Sequence, residues 1–133
     1  MKLNDYFQNA SGTGVLSTSD NSGKVDSAIY ARPHITEEGL IAFIMRDRLT
    51  YHNLEQNPHA AYLFIEKEGS YKGVRLFLKK VKENSDSELL QEMTRRCLSP
   101  EEDKAKGPKF LVYFEIETVL DLIGSGSPEI ELS

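Results

Sequence analysis

Hydrophobic and polar positions change period several times along the chain, and the changes mark its elements. "GVLSTSD" and "KVDSAIYARP" alternate apolar and small polar residues on either side of the turn "DNSG". Alternation of that kind across a polar turn predicts a β-hairpin. "GLIAFIM" and "AAYLFIE" are short continuous apolar runs, the pattern of strands covered on both faces. In "GVRLFLKKVKE", Val74, Leu76 and Leu78 alternate with Arg75, Phe77 and Lys79, so one face is wetter. "KFLVYFEIE" puts Phe110, Val112, Phe114 and Ile116 on one side. These are six strands, close to the number at which an antiparallel sheet closes into a small barrel and removes its edges. The fold class read from them is mainly β (α+β), a six-stranded antiparallel barrel with short helices.

Three stretches read as helix. "NDYFQNA" is a short one that Asn4 can cap. A second runs from about Thr50 to Asn57, and Pro58 stops it by disfavouring helical geometry at the residue before it. The third, "SDSELLQEMTRRCLSP", has Ser85 and Glu88 at capping-box spacing and Arg95 and Arg96 in its last turn. Its apolar face of Leu89, Leu90, Met93 and Cys97 predicts a lid over a barrel opening. "SPEEDKAKGPK" reads as a solvated loop. Residues 1–124 read as a single domain and residues 125–133 as a flexible tail.

Composition narrows the classes. A chain of 133 residues can bury a core without staples. Its net charge of −5 argues against an extended nucleic-acid footprint, though not against a local basic pocket. One cysteine cannot form an internal disulfide, which suits a reducing compartment. No apolar run approaches the ~20 residues of a membrane helix, and the start has no apolar core of signal-peptide type. The expectation is a cytoplasmic protein with neither nucleic acid nor membrane as partner. His34, His52 and His59 show no helical i, i+4 pair, so no metal site is expected. Cys97, near a helix C-terminus, lacks the dipole that activates a thiol and reads as inert.

The chemistry concentrates in "MRDRLTYHNLEQNP", directly after the apolar run "GLIAFI". Thr50 is placed to cap the helix that follows, and a helix N-terminus favours an anion through its unpaired N–H groups and dipole. Arg48 adds a fork that matches phosphate oxygens, and Arg46 and Arg32, at neighbouring strand ends, add charge. The bland alternative is a surface arginine pair bridged to Asp47, with Thr50 only capping; ion pairs of that sort are common and carry no function.

The order "GTGVLSTSDNSGKVDSAIYARP", "LIAFIMRDRLTYHNLEQNPHAAYLFIE" and "RLFLKKVKE" resembles the pyridoxamine 5'-phosphate oxidase-like, FMN-binding split-barrel proteins over roughly Gly12 to Ile123. The strongest anchor is R-x-[K/T]-x-x-N-L-x-x-N-P, here Arg48, Thr50, Asn53, Leu54, Asn57 and Pro58. The resemblance implies a split barrel, a homodimer and FMN at the dimer interface. By position, it assigns Arg48 and Thr50 to the FMN phosphate, with Thr50 standing where many relatives place a lysine. It sets Phe43, Ile44 and Met45 beside the ribityl chain and ring, and Tyr30, Ala31 and Arg32 on the strand lining the same pocket. Tyr71 and Arg75 are to reach the site from the second subunit. Tyr30, Phe43 and Tyr71 are the rings available to stack on a flavin, although a buried aromatic taken alone more often packs a core.

True pyridoxamine-phosphate oxidases end in a segment with arginine and histidine that hold the substrate, whereas this chain ends "LDLIGSGSPEIELS". Vitamin B6 oxidation is therefore not expected. Three functions remain: an FMN-dependent oxidoreductase acting on an unknown small molecule with a redox donor, an FMN electron carrier without a substrate, and a flavin-free dimeric binding module. A deazaflavin with a polyanionic tail is disfavoured by the net charge. Haem occurs in some split barrels, but no axial ligand stands out here.

Overall fold

The computed structural model describes residues 2–130, the side chain of Cys97 excepted. In chain order the elements are α1 (Leu3–Asn9), β1 (Gly12–Ser19), β2 (Val25–Ile29), β3 (His34–Ile35), β4 (Ile41–Arg46), α2 (Leu49–Gln56), β5 (His59–Glu66), β6 (Gly73–Asn84), α3 (Glu88–Cys97), α4 (Pro100–Ala105) and β7 (Lys109–Asp121). The six expected strands are present, and His34–Ile35 adds a seventh, two residues long. All pairings are antiparallel, in the order β2-β1-β5-β6-β7-β4-β3.

That order explains the split. The free edges are β2 and β3, which are consecutive in the chain, so the link 30–33 steps from one edge of the sheet to the other. The Tyr62 hydroxyl, from β5, reaches across to the carbonyls of Tyr30 and Ala31 at 3.1 and 3.2 Å. Gly14 makes room for it: a Cβ there would stand 1.9 Å from that hydroxyl and 2.6 Å from the Tyr30 carbonyl.

The core is filled from one side of the strands. Leu16, Phe43, Tyr62, Leu76 and Phe114 are all at or below 2% exposure, and α1 and α2 add Leu3, Phe7, Tyr51 and Leu54. Along β4 the parity is strict: Ile41, Phe43 and Met45 enter this core, while Ala42 and Ile44 face the other way. β7 does the same, Val112 and Phe114 inward and Leu111 and Tyr113 outward, so the side opposite Phe110–Ile116 is covered too. The element covering it is α3, whose Leu90 is fully buried against Ala42, Leu111 and Tyr113. It lies against the outer face of β4 and β7 and does not close a barrel opening, as was expected of it.

The helix starts also depart from expectation. The residue capping α1 is Lys2, with no side-chain bond, and not Asn4. The cap of α2 is Arg48, extended at φ −138°, which puts Thr50 inside the first turn. The cap of α3 is Ser87, which accepts from the Leu90 N–H, and not Ser85. A capping box does exist, but at Ser99 and Glu102, opening α4 in the segment expected to be loop. Past β7 the chain turns back: the Asp121 N–H bonds the Gly126 carbonyl at 2.8 Å, and Ile130 packs on the core. Cys97 as part of the α3 apolar face, and residues 131–133 of the expected tail, lie outside the described side chains and residues. No helix among the described residues is long and apolar enough to cross a membrane.

Candidate functional site

The seam between β2 and β3 opens on a cleft of about 650 Å³, within the ordinary range for small-molecule sites. Its floor is small and apolar: Ala28 of β2, Ala31 of the link, and Ala42 and Ile44 from the outward face of β4. One rim is the start of α2, with Arg48, Leu49 and Thr50; the opposite rim is Met93, Thr94 and Leu98 at the end of α3, with Lys106 just past α4.

Local sequence fixes each wall. β4 alternates so that its odd residues fill the barrel and its even ones are left for the cleft. α2 is pinned beside it because Leu54 enters the core and the Asn53 amide donates to the buried Thr18 hydroxyl at 3.1 Å. The Asn57 side chain accepts from the His59 N–H at 3.1 Å and shapes the exit. Half of the Asn-Leu-x-x-Asn-Pro stretch is thus the scaffold that aims the first turn of α2 at the cleft.

Four cations line the cleft, Arg32, Arg46, Arg48 and Lys106, against one carboxylate, Asp26. Two of them are already engaged. Arg32 donates through Nη1 to the carbonyls of Phe7 and Ala10 at 2.8 and 2.6 Å, closing the end of α1. Arg46 bonds Asp103 Oδ1 at 2.8 Å and the Gly107 carbonyl at 2.9 Å, and Lys109 holds the other Asp103 oxygen at 2.7 Å. The side chains of Arg48 and Lys106 have no hydrogen-bonding or ion-pair partner among the described residues. Asp47 does not neutralise Arg48: it pairs with His52 Nε2 at 2.7 Å, while Glu55 holds the other ring nitrogen at 3.0 Å. The bridged arginine pair is absent, and a free guanidinium stands at the positive end of a helix.

Tyr30 also titrates in this wall. Burial pushes its hydroxyl above the ordinary tyrosine value, against the opposing pulls of the Thr50 hydroxyl and the Arg48 charge. It stays protonated near neutral pH and is a hydrogen-bond donor there, not a base.

The expected site residues therefore divide. Tyr30, Ala31, Arg32, Phe43, Ile44, Arg48 and Thr50 meet at the cleft. The side chains of Phe43 and Met45 are core, at 2% and 1% exposure, with Phe43 edge-on to Tyr30 at 5.7 Å; Phe43 touches the cleft, and Met45 does not line it. Tyr71 and Arg75 are elsewhere in the same chain. Tyr71 is 80% exposed on the β5–β6 loop, beside a different hollow that includes Tyr6 and Glu66. Arg75 donates to the Asp121 and Gly124 carbonyls and ties down the C-terminal segment. Missed in the sequence were Asp26, Ala28 and Ile29 of β2, Ala42 of β4, Leu49 of α2, Met93, Thr94 and Leu98 at the end of α3, and Lys106. Only Lys106 had a local signal, the Ser99–Glu102 capping box that predicts α4.

Comparison with known proteins gives the family and the fold. The family model for pyridoxamine 5'-phosphate oxidase matches residues 3–122. No curated protein sequence matches the chain. Among solved structures, HupZ of Group A Streptococcus is similar at TM-score 0.74 and 15% identity, with 95% of each chain covered. An FMN-binding protein from Syntrophomonas wolfei subsp. wolfei is similar at TM-score 0.73 and 18% identity, over 92% of this chain and 85% of that one. HutZ, the heme storage protein from Vibrio cholerae, is similar at TM-score 0.62 and 21% identity, over 91% and 95%. At such identities the likeness carries the fold, while the family match spans most of the chain and makes this protein a member of the pyridoxamine 5'-phosphate oxidase-like family of split barrels.

Proposed function

We propose that the cleft binds FMN and that the protein is a flavin-dependent oxidoreductase acting on a small molecule. The observation that carries this is Arg48: an unpaired guanidinium at the cap of α2, beside the first-turn N–H groups, on the rim of an apolar cleft. A phosphate suits that corner, since helix N-termini and arginine forks both favour it. The residues fit the rest of the cofactor as well. Three alanines and Ile44 leave a shallow apolar floor for a planar ring, and the Tyr30 and Thr50 hydroxyls supply polar contacts at its phosphate side. Bound there, FMN would supply hydride and single-electron transfer, which no side chain of this cleft offers.

The chain's own residues would bind, orient and exclude water. Arg48 and Thr50 hold the phosphate. Ala42, Ile44 and Ala31 present backbone and small side chains along the ring. Leu98 and Met93 close the far side. We further propose a homodimer, as the family resemblance implies, in which Tyr71 and Arg75, off the cleft of their own chain, would reach the flavin of the second protomer. The apolar rim supports this: Ile29 and Leu49 are 71% and 57% exposed at the mouth of the cleft. A single cysteine is compatible with a cytoplasmic location.

The likeness to a heme storage protein gives the test a second outcome to separate. No histidine lines the cleft itself, and His34 lines the adjoining groove, so the cofactor is decided by spectrum. An absorbance spectrum of freshly purified protein, repeated after adding FMN and desalting, is the experiment. Flavin bands retained at about one per chain are the expected result; a Soret band, or protein that stays colourless after FMN is added, contradicts the proposal.

A further inference from the structure

A second groove, of about 420 Å³, lies between α1, β3 and α3. It shares Ala31, Arg32 and Met93 with the cleft, so the two form one continuous depression. Its charged lining residues are Arg32 and Arg96, joined by the His34 imidazole and the amides of Asn4 and Gln8; the nearest carboxylate to act on it is Glu92, paired with Arg96 from outside the lining. In a chain of net charge −5 that is a local reversal of sign.

We infer that this groove binds the oxyanion of a small organic acid or phosphate ester, held by His34, Arg96 and Arg32. As the substrate class of an oxidoreductase the inference rests on the flavin reading above; the anion binding itself does not. Arg32 is fixed in advance. Its Nη1 is clamped by two α1 carbonyls, and its Nε and Nη2 donors have no partner among the described residues, so little side-chain entropy is lost when they are used. His34 sits on β3, paired with Ala42 of the cleft floor. Burial, and after it the Arg96 charge, hold its imidazole below the ordinary value, with Glu92 opposing. The ring is therefore neutral at neutral pH and offers an N–H donor. Arg96 is held at 2.7 Å by Glu92 in an exposed i, i+4 pair, an interaction weak enough for an incoming anion to replace. Met93 and Phe7 supply an apolar wall for the organic part.

Benzoate, phenyl phosphate and neutral benzamide test this, titrated into the full chain while NMR follows the His34 ring and arginine side-chain signals. At least one of the two anions should bind about tenfold or more tighter than benzamide, the effect of one charge-assisted hydrogen bond, and which of them does so identifies the source chemistry. Arg96→Gln should remove most of that preference. Glu92→Gln should tighten anion binding about twofold by freeing Arg96; a merely structural role for the helix would not give opposite signs. Equal binding of anions and benzamide, or anion affinity unmoved by both variants, overturns the inference. An FMN titration on the same samples separates the two proposals. Anion preference without FMN binding leaves this groove standing and removes the flavin, and FMN binding without anion preference does the reverse.

Discussion

Arg48 and Tyr51, three positions apart, face opposite requirements, and their surroundings show it. Arg48 is exposed and unpartnered at the rim. Tyr51 is 8% exposed, stacked on Phe110 with centroids 4.2 Å apart and planes at 10°, and donates to Glu83 Oε2 at 2.5 Å. Glu83 also takes Lys80 at 2.7 Å. Burial pulls the Glu83 carboxyl upward, but the Lys80 and Tyr51 bonds outweigh it and hold the group below its ordinary value. This trio anchors the far side of α2 and does not touch the cleft. Tyr51→Phe keeps the stacking and loses one hydrogen bond, so it should lower unfolding stability by about 1 kcal/mol and leave FMN affinity unchanged. Urea unfolding and a flavin titration on the same variant check both halves.

The elements show what was readable and what was not. Strands were legible because alternation in "GVRLFLKKVKE" and continuous apolar runs in "GLIAFIM" follow directly from burial on one or two faces. Helix starts were less so. Ser, Thr and Asn look like caps wherever they fall, and Arg48 caps α2 through its backbone alone, a role with no side-chain signature. α4 was hidden for a different reason: none of its residues is buried, so it has no apolar period to detect. What holds it is charge, Asp103 between Arg46 and Lys109. The bonds from Lys109 and then Arg46 keep that carboxyl below its ordinary 3.8. A depressed carboxylate contributes stability that is complete above its unfolded value and is lost as pH falls through the folded one. Acid titration should therefore release α4 below about pH 4, seen as faster amide exchange over residues 101–105. Asp103→Asn should show that faster exchange already at pH 7, with the pH-dependent step gone. Of the cleft, the β4–α2 rim was legible from the stretch after "GLIAFI"; the walls from β2, α3 and the end of α4 were not, because strand order and no local pattern brings them there.

At the scale of the whole molecule, apolar surface is left open both at the edge strand beside the cleft and away from it. The edge strand β2 leaves Val25 75% exposed and Ile29 71%, and Tyr71 projects from a loop with two consecutive non-glycine residues at positive φ, Ser70 and Tyr71. Apolar surface of this kind suits an interface, and in the proposed homodimer a site completed by a second protomer would couple assembly to cofactor. Light scattering of flavin-loaded protein should give twice the 15.0 kDa chain mass, and dilution to monomer should release FMN; a monomer holding one FMN would contradict the coupling. The most direct test of the central claim is the phosphate itself. FMN and riboflavin differ by that group alone, so fluorescence titrations of wild type and Arg48→Ala with both ligands isolate it. Wild type should bind FMN about ten- to a hundredfold more tightly than riboflavin, Arg48→Ala should lose most of that difference with riboflavin affinity unchanged, and Arg48→Lys should restore part of it. Equal affinity of wild type for the two ligands, or equal losses for both in Arg48→Ala, would contradict a phosphate at the start of α2.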